Sequence, residues 1–389
     1  MMRMPERSGN GTGSMAKQRI VDAQVQRADK RPAGSPLRPR RLSEYVGQRD
    51  LIEKLSITLQ AVCERGEPME HILLHGPPGL GKTTVAHLIA VEMGTRAYSA
   101  SGPALTKAGD LIGTLTRLQQ HDVLFIDEIH RLPPAVEEYI YPAMEDFKID
   151  ITVDSGRHAK VITMALQPFT LIGATTRAGL LSGALRNRFG ISHHLRFYPQ
   201  EDLVAILRRA TEVLAIDEIP ISALRVIAAR SRGTPRVTLR LLRRVRDFAH
   251  VRAGGRIDEQ IVGEALALEG VDELGLDELD RSYLRTLGQT YHGGPVGLEA
   301  IAATLAEDPG TLEDVVEPYL LQIGFLARTR QGRRLTPAAA KHVRCAAPQD
   351  DAEPHQSGDS LFGPNSPRPQ PAVVARPRPA PTIHGPVES

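Results

Sequence analysis

The segment Gly76-Pro-Pro-Gly79-Leu-Gly81-Lys82-Thr83 constrains the fold of this chain more than any other. It fits G-x-x-x-x-G-K-[ST] and stands between an apolar run, His71–His75, that reads as a strand and a helical pattern over Thr84–Met93. Strand, tight glycine turn and helix in that order make a phosphate cradle. The glycines let backbone N–H groups crowd an anion at the positive end of the helix, Lys82 neutralises the β and γ oxygens, and the Thr83 hydroxyl is placed to ligate Mg²⁺. A glycine-rich turn of purely structural use is the bland alternative, and the flanking strand and helix argue against it.

Four further apolar runs, Arg96–Ala100, Val123–Ile126, Thr170–Ala174 and Ile191–Phe197, alternate with helical patterns. That alternation predicts a parallel sheet covered on both faces. From Glu201 to Leu268 the pattern is wholly helical, with Leu203, Ile206 and Leu207, then Leu224, Ile227 and Ala228, at 3.6-residue spacing. From Asp277 to His342 three short helical patterns end in Phe325–Leu335, where a basic Gln-Gly turn between apolar ends reads as a hairpin, so the outline is a winged helix. The expected divisions are a large nucleotide-binding domain at 37–198, a small helical domain at 199–270 and a winged-helix domain at 271–345. The flanks, 1–36 and 346–389, are dominated by Pro, Gly, Ser and charge and are expected to be disordered.

Composition narrows the setting. Cys63 and Cys345 are the two cysteines, far apart and in no metal-binding pattern, which fits a reducing, cytoplasmic location. The first forty residues hold no signal-like apolar core, and no later run approaches the roughly 18 apolar residues of a membrane span. The formal charge of +2 gives no global attraction to nucleic acid, so any such affinity depends on where the arginines sit. With only 4% aromatic residues, base stacking on single strands is a poor candidate and duplex DNA a better one.

Val123-Leu-Phe-Ile-Asp127-Glu128 is a buried strand ending in two carboxylates. Downstream of the cradle, Asp127 suits the metal and its water shell and Glu128 the attacking water, a pairing that indicates ATP hydrolysis beyond binding. Thr175-Thr176-Arg177 ends the next strand; Thr176 is favoured for the γ-phosphate or the lytic water, with a capping threonine as the alternative. Arg186 and Arg188 fall in a short helical stretch where a two-residue offset turns side chains about 200° apart, so only one can face a neighbouring subunit's nucleotide. Arg236, in Gly233-Thr-Pro-Arg236, opens a helix from which it can reach back to phosphate, whereas Arg240, Arg243, Arg244 and Arg246 read as solvated helix faces and interface pairs. In the winged helix the segment Thr311–Leu321, at the reading-helix position, carries Glu313, Asp314 and Glu317, which repel phosphate. Arg328, Arg330, Arg333 and Arg334 instead cluster on the hairpin, suited to backbone and minor-groove contacts without base choice.

These residues resemble the RuvB family of Holliday-junction branch-migration motors over nearly all of 37–337. The likeness is carried by His-Gly-Pro-Pro-Gly-Leu-Gly-Lys-Thr-Thr from His75, Asp-Val-Leu-Phe-Ile-Asp-Glu-Ile-His-Arg-Leu from Asp122, and Tyr-Pro-Ala-Met-Glu-Asp-Phe from Tyr141. Leu-Ile-Gly-Ala-Thr-Thr-Arg-Ala-Gly-Leu-Leu from Leu171, Arg-Gly-Thr-Pro-Arg from Arg232 and Gly-Gly-Pro-Val-Gly-Leu from Gly293 extend it. The resemblance implies an α/β AAA+ P-loop ATPase domain, a helical lid and a C-terminal winged helix. It implies Leu37, Arg38 and Tyr198 near adenine; Gly79, Gly81, Lys82, Thr83 and Thr84 on phosphate and metal; and Glu145, Asp146 and Phe147 among the nucleotide contacts. Asp127, Glu128, Thr176 and Arg188 become catalytic, with Arg188 as a finger acting in trans; Arg236 becomes the second sensor, and Arg328 and Arg333 become DNA contacts. A homohexamer, the cofactors ATP and Mg²⁺, and the partners RuvA and RuvC are implied with them, RuvA docking on a hairpin that matches Lys148 to Leu166. The chain departs from the family pattern at Arg236-Val-Thr-Leu-Arg240, at the turn Ser155-Gly-Arg-His-Ala-Lys160, at Pro309 and at Thr329-Arg-Gln-Gly.

Three other readings share the nucleotide motif. A protein-remodelling ring needs an aromatic-hydrophobic-Gly pore loop between the second strand and the acid pair, but Tyr45-Val46-Gly47 lies upstream of Gly76. A clamp loader lacks the winged-helix outline, and a non-hydrolysing scaffold conflicts with Glu128 and Arg188.

Overall fold

In the computed structural model residues 37–153, 160–216 and 219–344 are described. The expectation of disorder for the two flanks therefore falls outside the described residues, as does the hairpin turn at 154–159.

Five parallel strands form the central sheet: β1 Ile72–His75, β2 Ala97–Ser101, β3 Val123–Asp127, β6 Thr170–Thr175 and β7 Ile191–His194, in the order β2-β3-β6-β1-β7. Ile72, Leu73 and Leu74 of β1 and all six residues of β6 are buried, the near-continuous apolar run of a strand covered on both faces. The covering helices are α1 Arg49–Arg65, α2 Lys82–Glu92, α3 Ala108–Leu115, α4 Pro134–Glu145 and the short α5 Gly183–Asn187. β7 stops at His194 instead of running to Phe197, because its partner β1 ends at His75; one last bond, Leu195 N–H to the His75 carbonyl (2.8 Å), closes the edge. The strands β4 Lys148–Val153 and β5 Lys160–Ala165 pair only with each other, as an antiparallel hairpin beside the main sheet.

Four helices follow, α6 Gln200–Val213, α7 Ile221–Ala229, α8 Pro235–Arg252 and α9 Glu259–Leu268. Their buried Leu203, Leu207, Leu224, Ile227, Leu242 and Val245 join the same apolar core as β1 and α2. The last region has its own core around Tyr283, Leu287, Ile301, Leu320 and Leu335. It consists of α10 Glu278–Arg285, continued by a π turn over Thr286–Thr290, α11 Leu298–Leu305, and a third helix, α12, over residues 309–322. Behind these come β8 Leu326–Thr329, β9 Gly332–Leu335 and α13 Pro337–His342. A bridge between Val296 and Arg333 adds a third strand position to the wing. Arg232 ties the helical region to the winged helix, through Asp277 at 2.6 Å, the Gly275 carbonyl at 2.7 Å and the fully buried Asp280. Among the described residues no helix is long and apolar enough to cross a membrane.

Candidate nucleotide-hydrolysis site and DNA wing

The loop after β1 enters α2 through Gly81, whose φ of 103° and close approach to the Tyr45 hydroxyl (2.7 Å from where a Cβ would stand) leave room for no side chain. This strained entry starts the helix at Lys82, two residues before the expected Thr84. No side chain caps α2, so its first-turn N–H groups are free to meet phosphate. Lys82 is buried and donates to the carbonyls of Gly76 (2.7 Å) and Pro77 (2.9 Å). Burial pulls its pKa down to about 8; the Asp127 carboxylate resists that shift and the nearby Arg236 adds to it.

Strand order makes the rest of the site. β6 lies between β1 and β3, so the cradle, the acid pair and Thr176 emerge side by side at the C-terminal edge of the sheet. Thr175 is buried, its hydroxyl 2.9 Å from His130 Nδ1 and accepting the Arg177 N–H at 2.9 Å. Thr176 instead lines a cleft of about 530 Å³ together with Gly76, Pro77 and Pro78. The Asp127 carboxylate accepts the Glu128 N–H (3.0 Å), and Glu128, held at φ 49°, lies 3.0 Å from Arg131 through its outer oxygen. The hydroxyl of Thr83 and the carboxylate of Asp127 are hard oxygen donors of the kind that hold Mg²⁺ alongside phosphate oxygens. The uncapped helix end, the charged Lys82 and this donor pair fit a Mg²⁺-nucleotide.

Arg188 lies at the other edge. It stands three residues before β7, whose Ile191 pairs with Ile72 at the start of β1. Its guanidinium sits 3.2 Å from Glu145, donates to the Ala184 carbonyl at 2.9 Å and covers the Tyr141 ring at 4.3 Å. Arg186 turns the opposite way, to the Ala178 carbonyl, as the two-residue offset requires. Glu145, Asp146 and Phe147 end α4 on the side of Arg188. The neighbouring Met144 carbonyl is 3.0 Å from His71 Nε2 at the N-terminal end of β1, and Phe147 packs edge-on against Phe169. Because the Leu171 N–H donates to His71 Nδ1 (2.9 Å), Nε2 carries the ring proton and donates to Met144. The length of β1, about 13 Å, thus separates these four residues from the cradle of their own chain.

Of the residues expected near adenine, Leu37 and Tyr198 are buried and Arg38 is exposed beside His87. The Tyr198 hydroxyl donates to the Leu80 carbonyl (3.2 Å) and lies 2.8 Å from the Tyr45 hydroxyl; burial pushes it up to about 12. Arg236 approaches from α8, its N–H 3.4 Å from the Gly79 carbonyl and its Cβ 3.1 Å from where a Cβ on Gly79 would stand.

In the wing, Arg328 and Arg333 face each other across the hairpin, on the inward side with Leu326 and Leu335. Both converge on Glu317, which is 0% exposed: Arg328 Nε at 2.7 Å from one oxygen, Arg333 Nε at 2.9 Å from the other, which also accepts the Tyr283 hydroxyl at 2.8 Å. Glu313 and Asp314 are likewise paired, with Arg177 of the ATPase domain. The acids expected to repel phosphate are therefore neutralised inside the molecule. Among the described residues no ion pair engages Arg330 or Arg334.

Comparison with known proteins agrees with this arrangement. The Holliday junction DNA helicase RuvB P-loop domain matches residues 37–195, the RuvB AAA lid domain residues 198–272 and the RuvB C-terminal winged helix domain residues 273–344. This chain belongs to the RuvB family. A point variant of Thermotoga maritima RuvB is 50% identical with a TM-score of 0.76, over 81% of this chain and 100% of that one. Thermotoga maritima RuvB described as a Holliday junction branch migration motor is also 50% identical, with a TM-score of 0.74 over the same shares. The AAA+ fold, the lid and the winged helix expected from sequence are those of the family, whose members are ATP-dependent DNA helicases of branch migration.

Two residues escaped the sequence reading of this RuvB-family chain. Arg209 of α6 donates to the carbonyls of Leu37 (2.6 Å) and Glu44 (3.0 Å), clamping the segment that carries Leu37. Tyr45, weighed only as a displaced pore-loop aromatic, is instead a wall of the P-loop through Gly81 and Tyr198. Arg209 and Leu37 are 172 positions apart, a distance no local spacing rule spans.

Proposed function

We propose that this chain is a subunit of a homohexameric, Mg²⁺-dependent ATPase ring that moves duplex DNA to branch-migrate Holliday junctions. Lys82, Thr83, Thr84, Gly79 and Gly81 hold the phosphates, Asp127 and Thr83 the metal, and Leu37, Arg38 and Tyr198 the adenine, while Arg236 closes over the phosphates from the lid. Glu128 orients the attacking water and Thr176 meets the γ-phosphate. A Mg²⁺ held by Thr83 and Asp127 would supply positive charge to offset that of the phosphates. Glu145, Asp146, Phe147 and Arg188 serve the neighbour's nucleotide.

The observation that carries this reading is the separation of cradle and finger onto opposite edges of one sheet. A subunit that keeps its phosphate loop at one edge and its arginine at the other completes a site only when a second copy brings its far edge to the first. Repeated head to tail, such a contact closes into a ring when the rotation allows. The β4–β5 hairpin stands apart from the sheet with Val161 and Ile162 58% and 46% exposed, an apolar surface suited to RuvA. RuvC completes the set of partners in a cytoplasmic setting. The exposed Arg328 and Arg330, with the half-buried Arg333 and Arg334 beside them, give the wing a sequence-neutral grip on phosphates.

The ATPase rate with four-way junction, linear duplex or no DNA, each with and without the cognate RuvA, tests the reading. Stimulation by the junction that grows with RuvA supports it. A rate indifferent to every DNA would sink it and favour a remodelling ring acting on protein.

A further inference from the structure

A run of paired charges leaves the nucleotide site and ends in the wing. Arg177 follows Thr176 directly, and its backbone is fixed by Thr175, whose hydroxyl also meets His130, two residues beyond Glu128. The guanidinium crosses to α12, with Nε 2.7 Å from Asp314 Oδ1 and Nη1 3.1 Å from Glu313 Oε2. The other oxygen of Glu313 lies 3.7 Å from Arg333 and 3.9 Å from Arg328, and those two arginines close on Glu317. Thr176, Arg177, Glu313, Asp314 and Arg328 line the same cleft as Gly76 and Pro77, and the charge of Asp314 is felt at both Lys82 and His130.

We propose that Arg177 is a positioning residue that couples occupancy of the γ-phosphate site to the grip of the wing. The inference rests on the reading of Lys82 and Thr176 as the ATP site and of the wing as the DNA contact. Arg177 clasps Glu313 and Asp314, and the two wing arginines face two carboxylates, Glu317 and Glu313, for no net charge. A γ-phosphate arriving beside Thr176 sets new negative charge on the wall of the cleft that Glu313 and Asp314 share. It draws Arg177 and repels both acids, so both effects open the clasp. Withdrawal of Glu313 leaves Arg328 and Arg333 with Glu317 alone, a net positive wing ready for DNA phosphate. The triphosphate state therefore holds DNA more tightly than the diphosphate state, and by linkage DNA tightens ATP by the same factor. The clasp side chains are 29% to 32% exposed, so solvent screens them and a factor of roughly 10 is expected, near the lower end of common couplings.

The full chain is titrated with a fluorescent linear duplex in Mg²⁺-ADP and in Mg²⁺-AMP-PNP. Wild type should bind roughly 10-fold more tightly with AMP-PNP. The double variant Glu313→Gln with Asp314→Asn should bind in ADP as tightly as wild type does in AMP-PNP, so that the ratio falls to about one. Arg177→Asp alone should lose the ratio too, and adding Asp314→Arg should restore it, which a general loss of folding would not do. A double variant that keeps the wild-type ratio, or a swap that restores nothing, overturns the clasp. Wild type that binds duplex equally in both nucleotides overturns it while leaving the family function in place. No duplex binding in either nucleotide overturns it together with the reading of the wing beneath it.

Discussion

Mixing two inactive variants gives a sharp test of Arg188 as a finger in trans, because the sheet sets it a strand length from its own cradle. Arg188 precedes β7 at the N-terminal edge, beside Glu145 and Tyr141, and the cradle lies a strand length away. Arg188→Ala should therefore form rings in which every cradle is intact and every finger missing, with turnover lowered by about 10³ to 10⁵. Lys82→Ala should give rings with every finger intact and no working cradle. In a random equal mixture an interface works when an intact cradle, contributed by an Arg188→Ala subunit, meets an intact finger, contributed by a Lys82→Ala subunit. The chance is one half for each, so about one quarter of the wild-type rate should return if the interfaces act independently. The rate is followed by steady-state phosphate release after subunit exchange, with ring composition verified by mass spectrometry. A finger acting in cis returns nothing in any mixture, and that result in rings shown to be mixed would refute the argument from the sheet.

Lys82, whose pKa burial holds down to about 8, should gain protonation when a triphosphate arrives. Calorimetry of ATP binding at pH 8 in two buffers of different ionisation enthalpy should show uptake of about half a proton, falling toward zero at pH 7; release, or no buffer dependence, would contradict the desolvated lysine. The same depressed pKa has a defined sign in folding. Between about 8 and the ordinary lysine value the unfolded chain holds more protons, so the contribution of Lys82 to stability rises with pH across that window. In the wing, replacing Arg330 and Arg334 with Ala should flatten the salt dependence of duplex binding by roughly 0.9 in log–log slope per lost contact, with the melting temperature unchanged. Arg333→Ala should behave differently, costing roughly 2 kcal/mol by thermal unfolding, because it strips one of the two partners from the buried Glu317 while Arg328 still pairs.

What could be read from the residues beforehand was whatever is local. The cradle, the acid pair and the strand that leads into Thr176 are short runs whose chemistry and burial agree, and each strand lies within a few residues of its expected place. Of the two threonines that close this strand, Thr175 is buried and Thr176, the one favoured from sequence, lines the cleft. The alternation of side chains along a strand, applied to the hairpin, would have put Arg328 on the face of Leu326 and Arg333 on that of Leu335, inward and in need of a partner. Charge alone drew attention there, and charge is silent about direction. The acids of α12 looked hostile to DNA for a related reason: their partner Arg177 is 137 positions away from Asp314, and no spacing within either segment announces the pair.

If Arg188 completes a neighbour's site as proposed, the two-edged sheet also makes catalysis a gauge of assembly. An open arc of subunits has a cradle without a finger at one end and a finger without a cradle at the other, so it always contains one fewer complete site than it has members. Closing the arc adds a site without adding a subunit. The number of nucleotides hydrolysed quickly in a single turnover, set against the number bound, therefore distinguishes an arc from a ring, and a lone subunit stores ATP without consuming it until a neighbour brings a finger to its cradle.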